Sequence, residues 1–293
     1  MKDSTIEQFI QQAMIEDVGE GDHTSLACIP ETDVSEAHLI VKEDGVIAGV
    51  ELAEKCFHYL EPDTQFECLI PDGTDVDVGN IVYKVYCKTR NLLMVERIVL
   101  NCMQRMSGIA TLSSQFAFEV EGLPVKILDT RKTTPLIRFL EKWAVRIGGC
   151  TNYREGLYDW IMIKDNHVEA CGSISQAIKR VNQYLSDQEL QLGITVEVRN
   201  LVELHEVLEV GGVTRIMLDN FELPLLKEAV HTIDNRFEIE ASGGVNLHNV
   251  REIAKSGVDY ISVGALTHSA RALDLSLKVI KQDTGLQRIK RLP

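Results

Sequence analysis

The pattern of apolar and polar positions changes near residue 125, and this change divides the chain into two parts. In the first part, apolar residues recur with helical spacing at 5–15, 51–60 and 91–104. Short strand-like runs separated by Gly/Asp turns lie between these segments, at 37–42, 45–48, 65–70 and 81–86. The first part is therefore predicted to be a mixed α+β domain with a mostly antiparallel sheet.

From residue 125 onward, an apolar run, a loop and a helical segment follow one another several times. The six apolar runs are 125–130, 161–166, 195–198, 215–220, 238–243 and 260–265. Helical spacing lies between most of them, at 173–184, 201–209, 223–232 and 247–255. Repeated βα units form parallel strands, which close into a barrel or stay open as a doubly wound sheet. We favour the barrel, because useful polar residues or glycines end every strand and a barrel brings these ends to one mouth.

These patterns place the first domain at residues 1–110 and the barrel domain at residues 111–269. The remaining segment, 270–293, ends in the basic run 288–291. We expect this segment to form a closing helix and tail that packs back on the first domain.

The composition is that of a globular protein with a sizeable core, with 293 residues, 45% hydrophobic and 25% charged. The longest uncharged run, 106–118, is far shorter than the roughly 20 apolar residues of a membrane-spanning helix. The seven cysteines are odd in number and form no CxxC pair, which argues against a disulfide framework or structural zinc site. Charges interrupt residues 1–20, so no signal peptide is expected. We therefore expect a cytoplasmic protein with reduced thiols and no membrane partner.

The charge distribution indicates the kind of ligand. The chain has a net charge of −14, but residues 131–164 carry seven Lys and Arg against three acids, a local net of +4. A basic island in an acidic protein favours a pocket for a small, highly charged anion. It does not favour a nucleic-acid surface, because the overall field repels a polyanion.

The candidate anion ligands are four cations, three of which, Arg131, Lys132 and Lys164, directly follow predicted apolar strands. Arg binds a carboxylate or phosphate through two parallel hydrogen bonds, and Lys acts as a mobile point charge. The alternative for any single cation is a solvated surface charge, and we retain it for Arg138 and Lys142, which we expect on an exposed helix face. The candidates are Arg131, Lys132, Arg154 and Lys164.

Glycine-rich loops follow the last two predicted strands, as Ser242-Gly243-Gly244 and Gly264-Ala265. In barrels the loops after the final strands often bind phosphate, because glycine lets backbone N–H groups approach the oxygens. The alternative is that these glycines only make tight turns. Because the two loops are consecutive and last in the order, we favour phosphate binding.

Two acids, Glu197 and Asp219, lie near the ends of their own predicted strands. Carboxylates that converge at a barrel mouth can hold Mg²⁺ or accept hydrogen bonds from sugar hydroxyls. They can also form ion pairs with neighbouring cations, and both interpretations can hold together. His167 and His268 are interpreted as structural.

Taken together, the motifs resemble those of one family in order along nearly the whole chain. They are EDVG at 16–19, GDHTS at 21–25, ERIVLN at 96–101, QRMSGIAT at 104–111, DTRKTTP at 129–135, KDNH at 164–167, LDN at 218–220, ASGG at 241–244 and SVGALTH at 262–268. The chain resembles the quinolinate phosphoribosyltransferase family, also called nicotinate-nucleotide pyrophosphorylase (carboxylating).

This resemblance implies an α/β fold, with an N-terminal α+β sandwich domain followed by an incomplete TIM-like α/β barrel. It implies a Mg²⁺-dependent transfer of phosphoribosyl from phosphoribosyl pyrophosphate to quinolinate with decarboxylation. The products would be nicotinate mononucleotide, CO2 and pyrophosphate, in NAD biosynthesis. It also implies a homodimer in which Arg97 reaches the neighbouring site, although spacing alone would make Arg97 a helix-surface ion-pair partner.

The resemblance also implies roles for individual residues. It assigns catalysis to Lys132, Lys164, Glu197 and Asp219, and it gives the two acids to the ribose and magnesium side. It places the cations around the pyridine dicarboxylate and the phosphates, and the glycine loops around phosphate. The substrate-binding set is Arg97, Thr130, Arg131, Lys132, Tyr153, Arg154, Lys164, Glu197, Asp219, Ser242, Gly243, Gly244, Gly264, Ala265 and Leu266.

The chain departs from the family at one position. The family commonly reads Asn-His-Arg where this chain has Asn152-Tyr153-Arg154. Tyrosine keeps an aromatic face and a hydroxyl, but at neutral pH it cannot carry the positive charge of a histidine.

Two other functions are compatible with this architecture. One is a phosphoribosyltransferase with a different acceptor, such as the related proteins linked to molybdenum transport, and the retained cations argue against it. The other is a non-enzymatic protein that binds a phosphate ligand. An intact acid pair beside an intact cation set argues against that second function.

Overall fold

The computed structural model describes residues 3–280. Their contacts divide them into two units. The first unit contains the described residues up to Thr111 and those from Arg271 onward, and the second unit is Leu112–Ala270. One long helix, α4 (Thr89–Glu119), begins in the first unit and ends in the second.

The elements of the first unit besides α4 are α1 (Asp3–Val18), α2 (His23–Cys28), β1 (Val34–Val41), β2 (Gly45–Val46), α3 (Val50–Leu60), β3 (Gln65–Cys68), β4 (Asp75–Val76), β5 (Ile81–Lys88) and β12 (Leu275–Ile280). The unit is built on a four-stranded antiparallel sheet in the order β12-β1-β5-β3, with a small antiparallel pair β2-β4. Helix α3 packs on the sheet through Phe57, whose ring centroid lies 6.3 Å from that of Tyr83.

Helix α4 extends well beyond the predicted segment 91–104, and two of the hydroxyl side chains in this extension are hydrogen-bonded inside the first unit. The Ser107 hydroxyl accepts a hydrogen bond from the Ala48 N–H at 2.9 Å and lies 3.2 Å from the Ala48 carbonyl. The Thr111 hydroxyl accepts from the Val46 N–H at 2.9 Å. Small hydroxyl side chains that bind a neighbouring backbone can be buried at little cost, so this uncharged stretch continues the helix.

The closing helix predicted after residue 270 is wrong, because residues 275–280 form strand β12 instead. Leu275 and Leu277 are buried while Ser276 and Lys278 are more exposed, which is the period-two pattern of a strand. This strand pairs with β1, with Leu277 opposite Leu39, so the segment does pack on the first unit. The basic run 288–291 lies outside the described residues.

The strands of the second unit are β6 (Lys126–Leu128), β7 (Ile161–Ile163), β8 (Ile194–Val198), β9 (Arg215–Asp219), β10 (Glu238–Ser242) and β11 (Tyr260–Ser262). They form a six-stranded parallel sheet in the order β6-β11-β10-β9-β8-β7, with the first two strands of the unit at the two ends of the order. Its helices besides the end of α4 are α5 (Arg138–Ile147), α6 (Asp165–Cys171), α7 (Ile174–Asp187), α8 (Leu201–Val210), α9 (Leu223–Ile233), α10 (Val250–Ala254) and α11 (Ala265–His268). The predicted fold class, an α+β first domain followed by an incomplete α/β barrel, is confirmed.

Local sequence signals explain where the outer helices of this barrel begin and which faces they bury. The side chains of Ser173 and Asn200 cap α7 and α8 by accepting from the backbone N–H groups of Gln176 and Glu203. The buried positions of α9 have helical spacing and include Leu226 and Ala229. Across residues 3–280, no helix has the length and apolar character that crossing a membrane requires.

Candidate active site

A cavity of about 840 Å³ opens at the carboxyl ends of the barrel strands. Such a volume suits one or two small molecules. Parallel strands end at the same edge of their sheet, so polar residues that follow different strands meet at this mouth. The predicted residues that line the cavity are Thr130, Arg131, Lys132, Tyr153, Arg154, Lys164, Glu197, Asp219, Ser242, Gly243, Gly244, Gly264 and Ala265.

Two guanidinium groups in the cavity wall are close enough to repel each other. Burial and the nearby charge of Arg131 lower the pKa of Arg154. The Nε of Arg131 is buried and has no hydrogen-bond partner among the described residues. Arg154 donates to the Trp160 carbonyl at 3.1 Å, which fixes the direction of its guanidinium. Two neighbouring positive charges and an N–H group without a hydrogen-bond partner form a site to which a dianion would bind favourably.

A buried ion pair holds the two segments that carry these arginines. Lys142 Nζ lies 2.6 Å from Asp129 Oδ1, and the two side chains are only 1% and 0% exposed. The Asp129 carboxylate also accepts from the Tyr153 N–H at 2.8 Å and from Asn152 Nδ2 at 2.5 Å. Burial raises the pKa of Asp129, and the charge of Lys142 opposes this shift. The loop that contains Arg131 is thus tied to the segment that contains Arg154.

The expected exposed position of Lys142 is therefore wrong, and the neighbouring charges of α5 are also engaged. Glu141 is fully buried and accepts from the N–H and hydroxyl of Thr134, at 3.0 and 2.9 Å. Arg138 is half-buried and donates to the Thr133 hydroxyl at 2.9 Å. This helix packs against polar loop backbone as well as apolar side chains, so charged residues occupy its inner face.

The acids Glu197 and Asp219 both line the cavity. Glu197 forms an ion pair with Lys164 Nζ, so the ion-pairing interpretation holds for this residue. Asp219 accepts a hydrogen bond from the side-chain amide of Asn220 at 2.7 Å. Within residues 3–280, no group of three or more potential protein ligands surrounds a metal position. Two carboxylates nevertheless fit Mg²⁺, which commonly uses one or two carboxylates and completes its shell with substrate phosphates and water.

The glycine loops bring backbone close to other mouth residues. Gly243 has φ +92°, and a Cβ added there would lie 2.2 Å from Asn220 Oδ1 and 2.9 Å from Asn220 N. Only glycine therefore fits this turn. A Cβ at Gly264 would lie 3.0 Å from Lys132 Cδ, so the Lys132 side chain lies against the second glycine loop. Leu266, in contrast, is fully buried and is not among the cavity-lining residues.

Arg97 is not among the residues that line this cavity. It is an exposed residue of α4 in the first unit. In the described part of the chain, Arg97 makes no hydrogen bond or ion pair. The predicted contact with a neighbouring subunit stays a prediction.

The chain also matches models of a known family. Residues 22–107 match the N-terminal domain of quinolinate phosphoribosyl transferase, and residues 109–278 match its C-terminal domain. The chain belongs to the quinolinate phosphoribosyltransferase family. The resemblance predicted from the sequence motifs is therefore confirmed, and this family is a family of enzymes.

Individual relatives within this family cover nearly the whole chain. Quinolinate phosphoribosyltransferase [decarboxylating] 1b from Nicotiana tabacum is 50% identical over 92% of this chain and 81% of its own length. A probable nicotinate-nucleotide pyrophosphorylase [carboxylating] from Bacillus subtilis is 37% identical over 96% of both chains. The crystal structure of nicotinate-nucleotide pyrophosphorylase from Ehrlichia chaffeensis has a TM-score of 0.87 at 36% identity, over 93% of this chain and 98% of that one.

Several residues that line the cavity were missed by sequence reasoning. Alternation along a strand puts every second residue on the same face, so the residue two before a mouth residue also faces inward. Met162 precedes Lys164 by two positions, Met217 precedes Asp219, and this register would have located both. The missed lining residues are Met162, Met217, Asn220, Val245, Asn246, Ser262, Val263 and His268.

Proposed function

We propose that this protein transfers a phosphoribosyl group from phosphoribosyl pyrophosphate to quinolinate, with loss of CO2, and forms nicotinate mononucleotide and pyrophosphate. The observation that carries the proposal is the meeting of cations, acids and glycine loops in one cavity of about 840 Å³. The names of the relatives support the same reaction.

Arg131 and Arg154 would bind the two carboxylates of quinolinate. Burial and the nearby charge of Arg131 both lower the pKa of Arg154, and a dianion between the two guanidinium groups would relieve their repulsion. The unpartnered Nε of Arg131 offers a further donor to the same ligand. A bidentate guanidinium contact also fixes the orientation of a planar carboxylate, which a lysine would not do.

The phosphoribosyl donor would occupy the side of the cavity formed by the glycine loops. Gly243 and Gly244 leave backbone N–H groups accessible to phosphate oxygens, and Ser242 adds a hydroxyl. Lys132 lies against Gly264, where its ammonium would neutralise charge that develops on the departing pyrophosphate.

Mg²⁺ fits as a cofactor of this reaction. Glu197 and Asp219 would hold it together with oxygens of the donor substrate. When bound, the ion would supply charge neutralisation for the pyrophosphate group. Lys164, paired with Glu197, would keep that carboxylate directed into the cavity.

The reaction depends on the alignment of the two substrates and needs no nucleophilic residue of the protein. The pyridine nitrogen of quinolinate attacks the anomeric carbon of the ribose, and the bond to pyrophosphate breaks. Holding both reactants in one cavity makes this step effectively unimolecular. The resulting pyridinium accepts the electron pair of the bond between C2 and its carboxylate, CO2 leaves, and C2 then takes a proton from solvent.

A direct test is product formation by the purified protein. The protein is incubated with quinolinate, phosphoribosyl pyrophosphate and Mg²⁺, and nicotinate mononucleotide is measured by mass spectrometry. The proposal predicts product, loss of product when a chelator removes Mg²⁺, and recovery when Mg²⁺ is restored. The variant Lys179→Met, at an exposed residue outside the cavity, serves as a control. A folded protein that uses another pyridine or purine acceptor but not quinolinate would refute the proposal.

We also propose that the active protein is a homodimer in which Arg97 completes the neighbouring site. Its exposure, its lack of a partner in residues 3–280 and its absence from the cavity lining support this role. The variants Arg97→Ala and Arg131→Ala would each be inactive. An equal mixture of the two, after subunit exchange, would regain about one quarter of wild-type activity, because half of the dimers are mixed and one of the two sites in each mixed dimer is intact. No recovery after subunit exchange would refute this role.

The cytoplasm remains the proposed location. All seven cysteines are free thiols, which suits a reducing compartment. Some relatives are named as mitochondrial or chloroplastic. Fractionation of cells that produce the protein tests whether it is in the cytoplasm or in an organelle.

A further inference from the structure

Every polar atom of Tyr153 is engaged inside the protein, although the residue lines the cavity. Its N–H donates to Asp129, and its carbonyl accepts from Lys142 Nζ at 3.3 Å. Its hydroxyl lies 2.7 Å from the Thr195 hydroxyl, which is fully buried below the cavity. The atoms that Tyr153 leaves available to a ligand are therefore those of its aromatic ring.

The hydroxyl belongs to a chain of hydrogen bonds with a defined direction. The Trp160 indole can only donate, and it donates to the Thr195 oxygen at 2.8 Å. Thr195 can then donate to the Tyr153 oxygen. Burial and the nearby charge of Glu240 raise the pKa of Tyr153, and the hydrogen bond with Thr195 lowers it. In this arrangement the Thr195 hydroxyl occupies the Tyr153 oxygen.

Glu240 is linked to the Tyr153 ring through Arg215. It is fully buried and accepts hydrogen bonds from the Ser262 hydroxyl and from Arg215, the latter at 3.2 Å. The Arg215 guanidinium also lies over aromatic rings, 5.1 Å from the Tyr153 centroid and 3.7 Å from that of Tyr260. Such contacts between a cation and aromatic faces add to the rigidity of the assembly.

We propose that the Tyr153 ring is the aromatic surface on which the pyridine ring of the acceptor rests, and that Thr195 and Glu240 are positioning residues that hold this ring from inside the barrel. The inference rests on the proposed function for the identity of the acceptor. Aromatic rings associate through offset or edge contacts, so a fixed ring also fixes the plane of the acceptor. The neighbouring Arg154 follows Tyr153 directly in the chain, which places a carboxylate ligand beside this surface.

In this arrangement, one set of residues in the acceptor site provides the positive charge and another provides the aromatic contact. Burial and the charge of Glu240 raise the pKa of Tyr153, so this residue stays neutral. The carboxylates of the acceptor must then rely on Arg131 and Arg154, while Tyr153 contributes contact with the ring. Position 153 should accordingly add no ionisation to the pH dependence of quinolinate binding near neutrality.

The test compares variants that remove different parts of Tyr153. Tyr153→Phe keeps the ring and loses its anchor, and we expect the KM for quinolinate to rise about 3- to 5-fold. Tyr153→Ala and Tyr153→Leu remove the aromatic surface, and we expect a rise of about 20-fold or more. The KM for phosphoribosyl pyrophosphate should change by less than about 2-fold in all three variants. A rise for Tyr153→Phe as large as that for Tyr153→Ala would overturn the proposal, because the hydroxyl would then be the group that contacts the substrate.

The positioning role of Thr195 has its own readout. Thr195→Val should raise the KM for quinolinate less in the Tyr153→Phe background than in the wild type, because the link between the two hydroxyls is already absent there. Additive effects would overturn this role. Circular dichroism verifies folding, and Tyr153→Leu, which keeps more buried volume, replaces Tyr153→Ala if the latter unfolds. Product formation by the wild type tests the proposed function separately, since the inference is judged only from ratios of variant to wild-type KM values.

Discussion

From the geometry of the buried ion pair between Lys142 and Asp129, we can predict how much a substitution should change the free energy of unfolding. The two charged groups are 2.6 Å apart, and their side chains are 1% and 0% exposed. Lys142→Met removes the cation and leaves a buried carboxylate with only amide donors. Removing one partner of such a pair costs about 3–5 kcal/mol in unfolding free energy, because the remaining charge is uncompensated. We therefore expect Lys142→Met to destabilise the protein by about that amount.

The pH dependence of this variant has a defined sign. Burial already raises the pKa of Asp129 while Lys142 opposes the shift, so losing Lys142 raises the pKa further. A carboxyl whose folded-state pKa is raised binds its proton more tightly when folded, so it favours folding at low pH and loses this contribution as pH rises. The deficit of Lys142→Met should accordingly be larger at pH 7 than at pH 4.

Urea unfolding followed by circular dichroism measures both effects. Lys179→Met makes the same chemical change at an exposed helix position and should alter stability by less than about 0.5 kcal/mol. The double variant Asp129→Asn/Lys142→Met, which removes both charges, should recover much of the lost stability. If Lys142→Met lowers the free energy of unfolding by no more than Lys179→Met does, the conclusion that this ion pair links the segments of Arg131 and Arg154 is refuted.

Two further predictions concern ligand contacts. Arg131→Lys keeps the charge but loses the guanidinium fork, so the KM for quinolinate should rise about 10-fold or more while circular dichroism stays native; wild-type kinetics would remove Arg131 from the acceptor site. Gly243→Ala places a Cβ 2.2 Å from Asn220 Oδ1, so activity should fall by about 100-fold. Gly122→Ala is its control, because Gly122 also has a positive φ, +80°, but no atom within 4 Å; equal losses in the two variants would show that backbone strain, not the mouth geometry, is responsible.

The parallel strands of the barrel domain and the composition of its mouth were predictable because both depend on local pattern. An apolar run followed by Arg131 or Asp219 identifies the carboxyl end of a strand, and parallel strands gather such ends on one side. The alternation within a strand carries further information that would have identified Met217 and Ser262. These features need only periodicity and connectivity.

Other features depended on partners far away in the chain and could not be predicted. The burial of Lys142 depends on Asp129, which belongs to a different element, so helical spacing alone placed this lysine on the surface. The hydroxyl of Tyr153 meets Thr195 across 42 positions of sequence. Strand β12 has only two inward leucines, Leu275 and Leu277, and its identity depends on pairing with β1. In each case a tertiary contact outweighs the local preference.

A crystal structure of the protein with quinolinate bound tests the central claim most directly. We expect the two carboxylates within hydrogen-bonding distance of the guanidinium groups of Arg131 and Arg154, and the pyridine ring against the face or edge of Tyr153. Quinolinate bound at another place, or carboxylates that contact neither arginine, would contradict the account of this cavity.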